Sequence, residues 1–224
     1  MPNRLMKKLF LIFVCTLISL CGYAQNVNVG CSIWRRDVKT LTDLNPVELN
    51  TLLGSKPLQT TVGELISIGQ PDPLTNNAKW ENEPRYGSEK KLVRVRAIIV
   101  ACGKEANDHD YHIVIANPDD PNETMVSEIP DPDCADVAEH ALLRERYRAL
   151  RDWFDENITT PTSKIQALET SVEVEIIGVP FWDGKHPGNV NGAAPNFREL
   201  HPILNFVKDG VFAVKQAEPR SEPR

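Results

Sequence analysis

The sequence predicts a mainly β protein: a five-stranded barrel in the order β-β-β-α-β-β, with one long helix and an N-terminal extension packed on it. Three observations carry this. Between Lys91 and Pro130, three apolar stretches of strand length are separated by polar turns. A stripe of apolar residues at helical spacing follows between Ala135 and Glu156. Two further alternating stretches, Val172 to Val179 and Leu200 to Val207, come after the helix.

The chain begins with Arg4, Lys7 and Lys8, an apolar run from Leu9 to Leu20, and small residues at Gly22 and Ala24. This is the pattern of a secretory signal peptide cleaved near Ala24. A dozen apolar residues fall short of the roughly 18 to 20 that a membrane span needs. The chain is therefore expected to be exported, periplasmic or secreted, without a span and as a monomer. Lipidation at Cys21 is the alternative, disfavoured by the bulky Leu20 before it. The expected organisation is a signal peptide at 1–24, a loop-rich N-terminal extension at 25–90, the barrel at 91–209 and a flexible tail at 210–224. Loss of the three basic leader residues takes the formal charge from −6 to about −9. Such a surface repels phosphate backbones and disfavours nonspecific nucleic-acid binding.

In the extension, Asn45-Pro46-Val47-Glu48-Leu49 reads as a helix start with Pro in the first turn. Thr60 to Ile68 fits a strand or a turn of helix equally. Gly69 to Ser88 reads as loop.

In the first barrel strand, Leu92 to Ala101, residues Val93, Val95, Ala97 and Ile99 share the core face. Tyr111 to Ala116 and Thr124 to Ile129 form a hairpin around Asn117 to Glu123. That turn pairs Ala116 with Thr124, Val114 with Val126 and His112 with Glu128, all on the outer face. Tyr111, Ile113, Ile115, Met125, Ser127 and Ile129 then face the core. Asp133 is the expected cap of a helix from Ala135 to Glu156, whose packed stripe is Val137, His140, Leu143, Tyr147, Leu150 and Phe154. Pro202 in the last strand suggests an edge or a seam.

This order is that of the oligonucleotide/oligosaccharide-binding barrel, the OB-fold. In it the first and third strands end at one rim, just before Cys102 and Cys134, which predicts a Cys102–Cys134 disulfide with Cys31 left over. The last strand runs parallel to the third, which places the start of that strand, and so His201, away from Glu128.

Several residues are candidates for function. His112 and Glu128 could form a charged binding pair or a cross-strand ion pair worth only about 0.2 to 1 kcal/mol. Glu199 and His201 share a face of the last strand and could act as a base pair or half a metal site. Asp183, His186 and Asn196 lie in the Gly/Asn/Pro-rich loop before that strand, which could close over a ligand. Asp108, Asp110, Asp119 and Asp120 lack the spacing of a calcium loop and read as solvated turn acids, with Asp110 kept as a candidate beside His112. The sequence contains no Gly-rich phosphate loop, CxxC, HExxH or Gly-x-Ser-x-Gly motif, so it specifies no cofactor and no metal.

The stretches Val38-Lys39-Thr40-Leu41-Thr42-Asp43, Asp110-Tyr111-His112, Thr124 to Pro130, Cys134, Ala194-Pro195-Asn196 and Glu199-Leu200-His201-Pro202 resemble a family of uncharacterised exported bacterial proteins with an OB-like barrel. The resemblance spans roughly Cys31 to Phe206 and implies no activity. The strand order alone is similar to that of staphylococcal-type nucleases, a likeness that bears on fold only. The function expected is an exported ligand-binding or interaction module for an oligosaccharide, peptide or small molecule. The alternative is a secreted hydrolase, phosphodiesterase- or nuclease-like, working through His and carboxylate residues on the barrel face.

Overall fold

The computed structural model describes residues 31, 35–71, 83–184 and 192–215; the leader, His186 and the tail end lie outside the described residues. The protein is mainly β, a mixed sheet of seven strands with few helices. The strands are β1 Leu58–Thr60, β2 Val93–Lys104, β3 Tyr111–Ala116, β4 Thr124–Ile129, β5 Gln166–Trp182, β6 Arg198–Lys208 and β7 Val211–Phe212. The helices are α1 Arg36–Thr40, α2 Pro46–Gly54, α3 Val62–Ser67, α4 Ala135–Ala138 and α5 Ala141–Asn157, with a 3-10 turn at Gly87–Lys90. The sheet order is β1-β2-β3-β4-β6-β5, with β7 beside β6, and β5 also pairs with β2. Only β1–β2 and β4–β6 are parallel pairs.

Alternation sets the core. Val93, Val95, Ala97 and Ile99 of β2 are buried, as are Ile113 and Ile115 of β3 and Met125 and Ile129 of β4. The β3–β4 hairpin has the expected register, with His112 opposite Glu128 and Ala116 opposite Thr124. Its turn is closed by the Asn117 N–H donating to the Glu123 carbonyl at 2.9 Å. Leu143, Tyr147, Leu150 and Phe154 of α5 fill the remaining side of the core.

The expected continuous helix from Ala135 to Glu156 is broken at Glu139–His140. Asp133 does not cap it: its Oδ1 accepts from Arg144 at 3.0 Å and from Arg148 at 2.7 Å. The cap position falls to Cys134, whose side chain makes no capping hydrogen bond to the helix. His140 has nonhelical backbone angles and sits half-buried ahead of α5, outside the packed stripe.

The disulfide differs too. Cys31 joins Cys134 across 103 residues, and Cys102 is a free, buried thiol. The physical reason lies in a register shift between Ile99 and Ala101, which turns Cys102 into the hydrophobic core. Cys134 stays on the side where the N-terminal segment docks. A persistent disulfide is what an oxidising environment permits. No described helix is long and apolar enough to cross a membrane.

The N-terminal segment is organised by local signals. Asn45 and Glu48 form a capping box on α2, Thr61 and Glu64 another on α3. Thr60 to Ile68 therefore holds the end of a short strand and then a helix. Leu41, Leu49, Leu52, Val62 and Leu65 join the one large core cluster. The Tyr147 hydroxyl donates to the Thr40 carbonyl at 2.8 Å, which seats α1 on the molecule.

Candidate functional site

Pairing places His112 of β3 opposite Glu128 of β4. On the other side of β4, the parallel register sets Val126 beside Glu199 and Ser127 beside Leu200. The next step along both strands brings His201 to Glu128. The expectation that His201 lies far from Glu128 is corrected by this register: β6 starts level with the middle of β4.

Glu128 bridges the two histidines. Its Oε1 lies 3.0 Å from His112 Nδ1 and its Oε2 lies 3.0 Å from His201 Nδ1. His201 Nδ1 also faces Glu199 Oε1 at 3.1 Å. His201 Nε2 stands 3.2 Å from Asp110 Oδ2, but the direction is poor and Nε2 makes no hydrogen bond. His112 Nδ1 meets Glu105 Oε1 at 3.2 Å.

Two cations come from α1. Arg36 Nη1 lies 2.6 Å from Asp110 Oδ2 and 3.5 Å from Asp108 Oδ2. Lys39 Nζ lies 3.3 Å from Asp183 Oδ1 and 3.6 Å from Glu199 Oε1, with the Phe181 ring 5.3 Å away. The Asp131 N–H donates to Asp110 Oδ1 at 2.8 Å, which fixes that carboxylate.

The cluster is buried. His201 and Asp110 are 0% exposed, His112 3% and Glu128 5%. The hairpin face expected to be open is therefore buried, and α1 closes its edges: Arg36 pairs with Asp110 just before β3, and Lys39 with Glu199 of β6 beside β4. The chain at Gly192 presses on the same face: a Cβ there would stand 2.2 Å from a Val114 methyl, and its φ of +81° suits glycine. Asp108 and Asp110, expected as solvated turn acids, are buried against Arg36, while Asp119 and Asp120 are exposed as expected.

The charges interlock. Burial disfavours the His112 cation, but Glu105 and Glu128 outweigh it and push its pKa up to about 10. His201 is raised well above the ordinary range against its burial, chiefly by Glu128. Burial raises the Glu128 carboxyl, yet both histidines hold it well below the usual range. Arg36 overcomes the burial of Asp110 and holds it down at about 2. Asp108 has the opposite fate: burial, helped by Asp110 and Glu128, pushes it up to about 7. Burial also raises Glu199 despite Lys39.

Of the residues singled out in the sequence, His112, Glu128, Asp110, Glu199 and His201 come together, and Asp183 joins them through Lys39. Asn196 does not: its Nδ2 donates to the Leu65 and Ile68 carbonyls at 3.1 and 2.8 Å, tying α3 to the loop. His186 is outside the described residues. Sequence reasoning missed Glu105, Arg36 and Lys39, and it named Asp108 only as a solvated turn acid. Glu105 could have been found, because alternation puts it on the His112 side two residues after Gly103, the partner of His112.

Comparison with protein-family models, with curated proteins and with solved structures finds no match.

Proposed function

We propose that the protein is an exported, monomeric binding module on an OB-like barrel, and that the β3–β4–β6 face is a site for a small polar ligand. The circuit of pairings from β2 through β3, β4, β6 and β5 back to β2 supports the barrel. On this reading the His112 face is the outer surface that such barrels use for ligands. The observation that carries the reading is Glu128 held between two buried histidines. Burying this many charges costs more than a packed apolar face would, and shifted, interlocked titrating groups of this kind concentrate at functional sites.

Burial selects among ligand sizes. The atoms that would meet an oligosaccharide or an extended peptide are buried, so a small ligand fits better. The hydrolase reading has the tight His and carboxylate cluster in its favour. The same burial removes that cluster from a polymeric substrate.

A thermal-shift panel tests the proposal, since a ligand that binds only the folded state raises its stability. Zinc, manganese and calcium ions, phosphate, citrate, pentaglycine and cello- and chito-oligosaccharides serve as probes. A shift with at least one metal ion, weakened in Glu105→Gln, or with a small anion, weakened in His112→Gln, is expected; no shift, or a shift with the oligosaccharides alone, contradicts it. Hydrolysis of bis(p-nitrophenyl) phosphate that is lost in His112→Gln would favour the hydrolase.

A further inference from the structure

The inference rests on reading the His112 face as a ligand site, and it names the ligand. Two groups of donors have ligand atoms within 4.8 Å of one another: Glu105, His112 and Glu128, and Asp110, Glu128 and His201. They share Glu128, whose two oxygens part, Oε1 toward His112 and Oε2 toward His201.

The cations already present separate the two groups. In the second, Arg36 sits 2.6 Å from Asp110, and His201 turns Nδ1 to Glu128 and Glu199 and Nε2 to Asp110. Lys39 stands 3.6 Å from Glu199. An entering cation would have to displace a guanidinium and would meet a fixed ammonium nearby. In the first group, among the described residues, no Lys or Arg forms an ion pair with Glu105, whose side chain is 39% exposed.

Spacing favours the first group as well. His112 Nδ1 lies 3.0 Å from Glu128 Oε1 and 3.2 Å from Glu105 Oε1. Donors held about 2.0 to 2.2 Å from a zinc-like ion are roughly 3.0 to 3.5 Å apart, so His112 stands at ligand spacing from each carboxylate, and the three atoms lie within 4.8 Å of one another. The ion's place is the one that a proton on Nδ1 fills between the two carboxylates.

We propose that Glu105, His112 through Nδ1, and Glu128 through Oε1 bind one divalent transition-metal ion of the zinc or manganese kind, with water completing the coordination on the Glu105 side. The mixed imidazole and carboxylate donors select this class over calcium, which takes oxygen ligands. The other ring nitrogen of His112, Nε2, is buried without a hydrogen-bond partner. Metal-bound imidazoles ordinarily donate that second N–H, and losing the contact weakens binding about 10- to 100-fold. The ion is therefore exchangeable and is removed by chelators.

The test is equilibrium dialysis of chelator-treated protein against zinc and, separately, manganese, read by elemental analysis, with cobalt absorption reporting the coordination. One ion per chain is expected, with affinity at least tenfold weaker in a folded Glu105→Gln and binding lost in His112→Gln. Glu105 lies near the surface, so its variant remains informative if His112→Gln fails to fold. Three outcomes overturn the proposal: no ion bound, an ion held equally by Glu105→Gln, or an ion lost in His201→Gln but kept in Glu105→Gln. If no metal binds while phosphate or citrate still raises Tm, the metal assignment fails and the small-ligand reading stands. If nothing binds, both fail.

Discussion

His201 Nδ1 lies 3.0 Å from Glu128 Oε2, although the two residues belong to strands that run parallel and are separated in sequence by the whole of α4, α5 and β5. The other oxygen of Glu128 serves His112, so one carboxylate is shared by two buried rings, with Glu105 beside His112 and Glu199 beside His201 as their further acidic partners. Glu128→Gln replaces the shared carboxylate by a neutral amide and leaves His112 with Glu105 and His201 with Glu199. Breaking a buried charge pair from one side costs about 3–5 kcal/mol, so urea unfolding should show a loss of that order. A loss below about 1 kcal/mol would mean that the pair behaves as an exposed one.

The disulfide anchors the roof of the site, since Cys31 lies just before α1 and Cys134 just before α4. Cys31→Ser should lower stability by about 2–4 kcal/mol. A nonreduced digest should contain a Cys31–Cys134 peptide pair. Cys102 is buried and its thiol is pushed up to about 11 by that burial, so it should resist alkylation until the protein is unfolded. Rapid labelling of Cys102 in the native protein would contradict its place in the core.

The stability of chelator-treated protein should fall as pH rises from about 4 towards 7 because of Asp108. Its carboxyl, near 3.9 when unfolded, is raised to about 7 by burial and by Asp110 and Glu128, against the pull of Lys39 and Arg36. A raised folded-state value means that this contribution is complete below about 4 and is lost as pH climbs through 7. The slope is at most about 1.4 kcal/mol per pH unit. Asp108→Asn should flatten the Tm profile between about pH 4 and 7, while the fall above about 6.5 that comes from the raised His112 stays in both proteins. An unchanged profile would place the titration elsewhere.

The N-terminal extension takes its core from the sheet. Leu41, Leu49, Leu52, Val62 and Leu65 are buried in the same cluster as β2 and α5. A peptide of residues 25–90 should show no cooperative melting by circular dichroism. A sharp melt would reveal an independent domain.

Local pattern made much of this legible. Alternation along β2, β3 and β4 sorted core from outer face, and the Asn117 to Glu123 turn set a register that put His112 against Glu128. The apolar stripe located α5, and Asn45 with Pro46 located α2. What stayed hidden depends on contacts distant in sequence. No local signal says that Arg36 and Lys39 fold back over the hairpin, and with them absent Asp108 and Asp110 look like ordinary turn acids. The shift between Ile99 and Ala101 reverses the facing of Cys102, which alternation cannot anticipate. The parallel offset of β6 on β4 is a tertiary choice, and it decides whether His201 meets Glu128.

The central claim is that the face carrying His112, Glu128 and His201 is a site for a small ligand. It is tested most directly by long-range 1H–15N spectra of the imidazole rings, with His112 and His201 assigned from their Gln variants. Adding zinc ions, phosphate or citrate in turn should move the His112 signals, and those of His201 through Glu128, with at least one of these probes. Cello-oligosaccharides and pentaglycine should leave both rings unchanged. Spectra that respond to none of the small probes, or only to the longer ones, would contradict the claim.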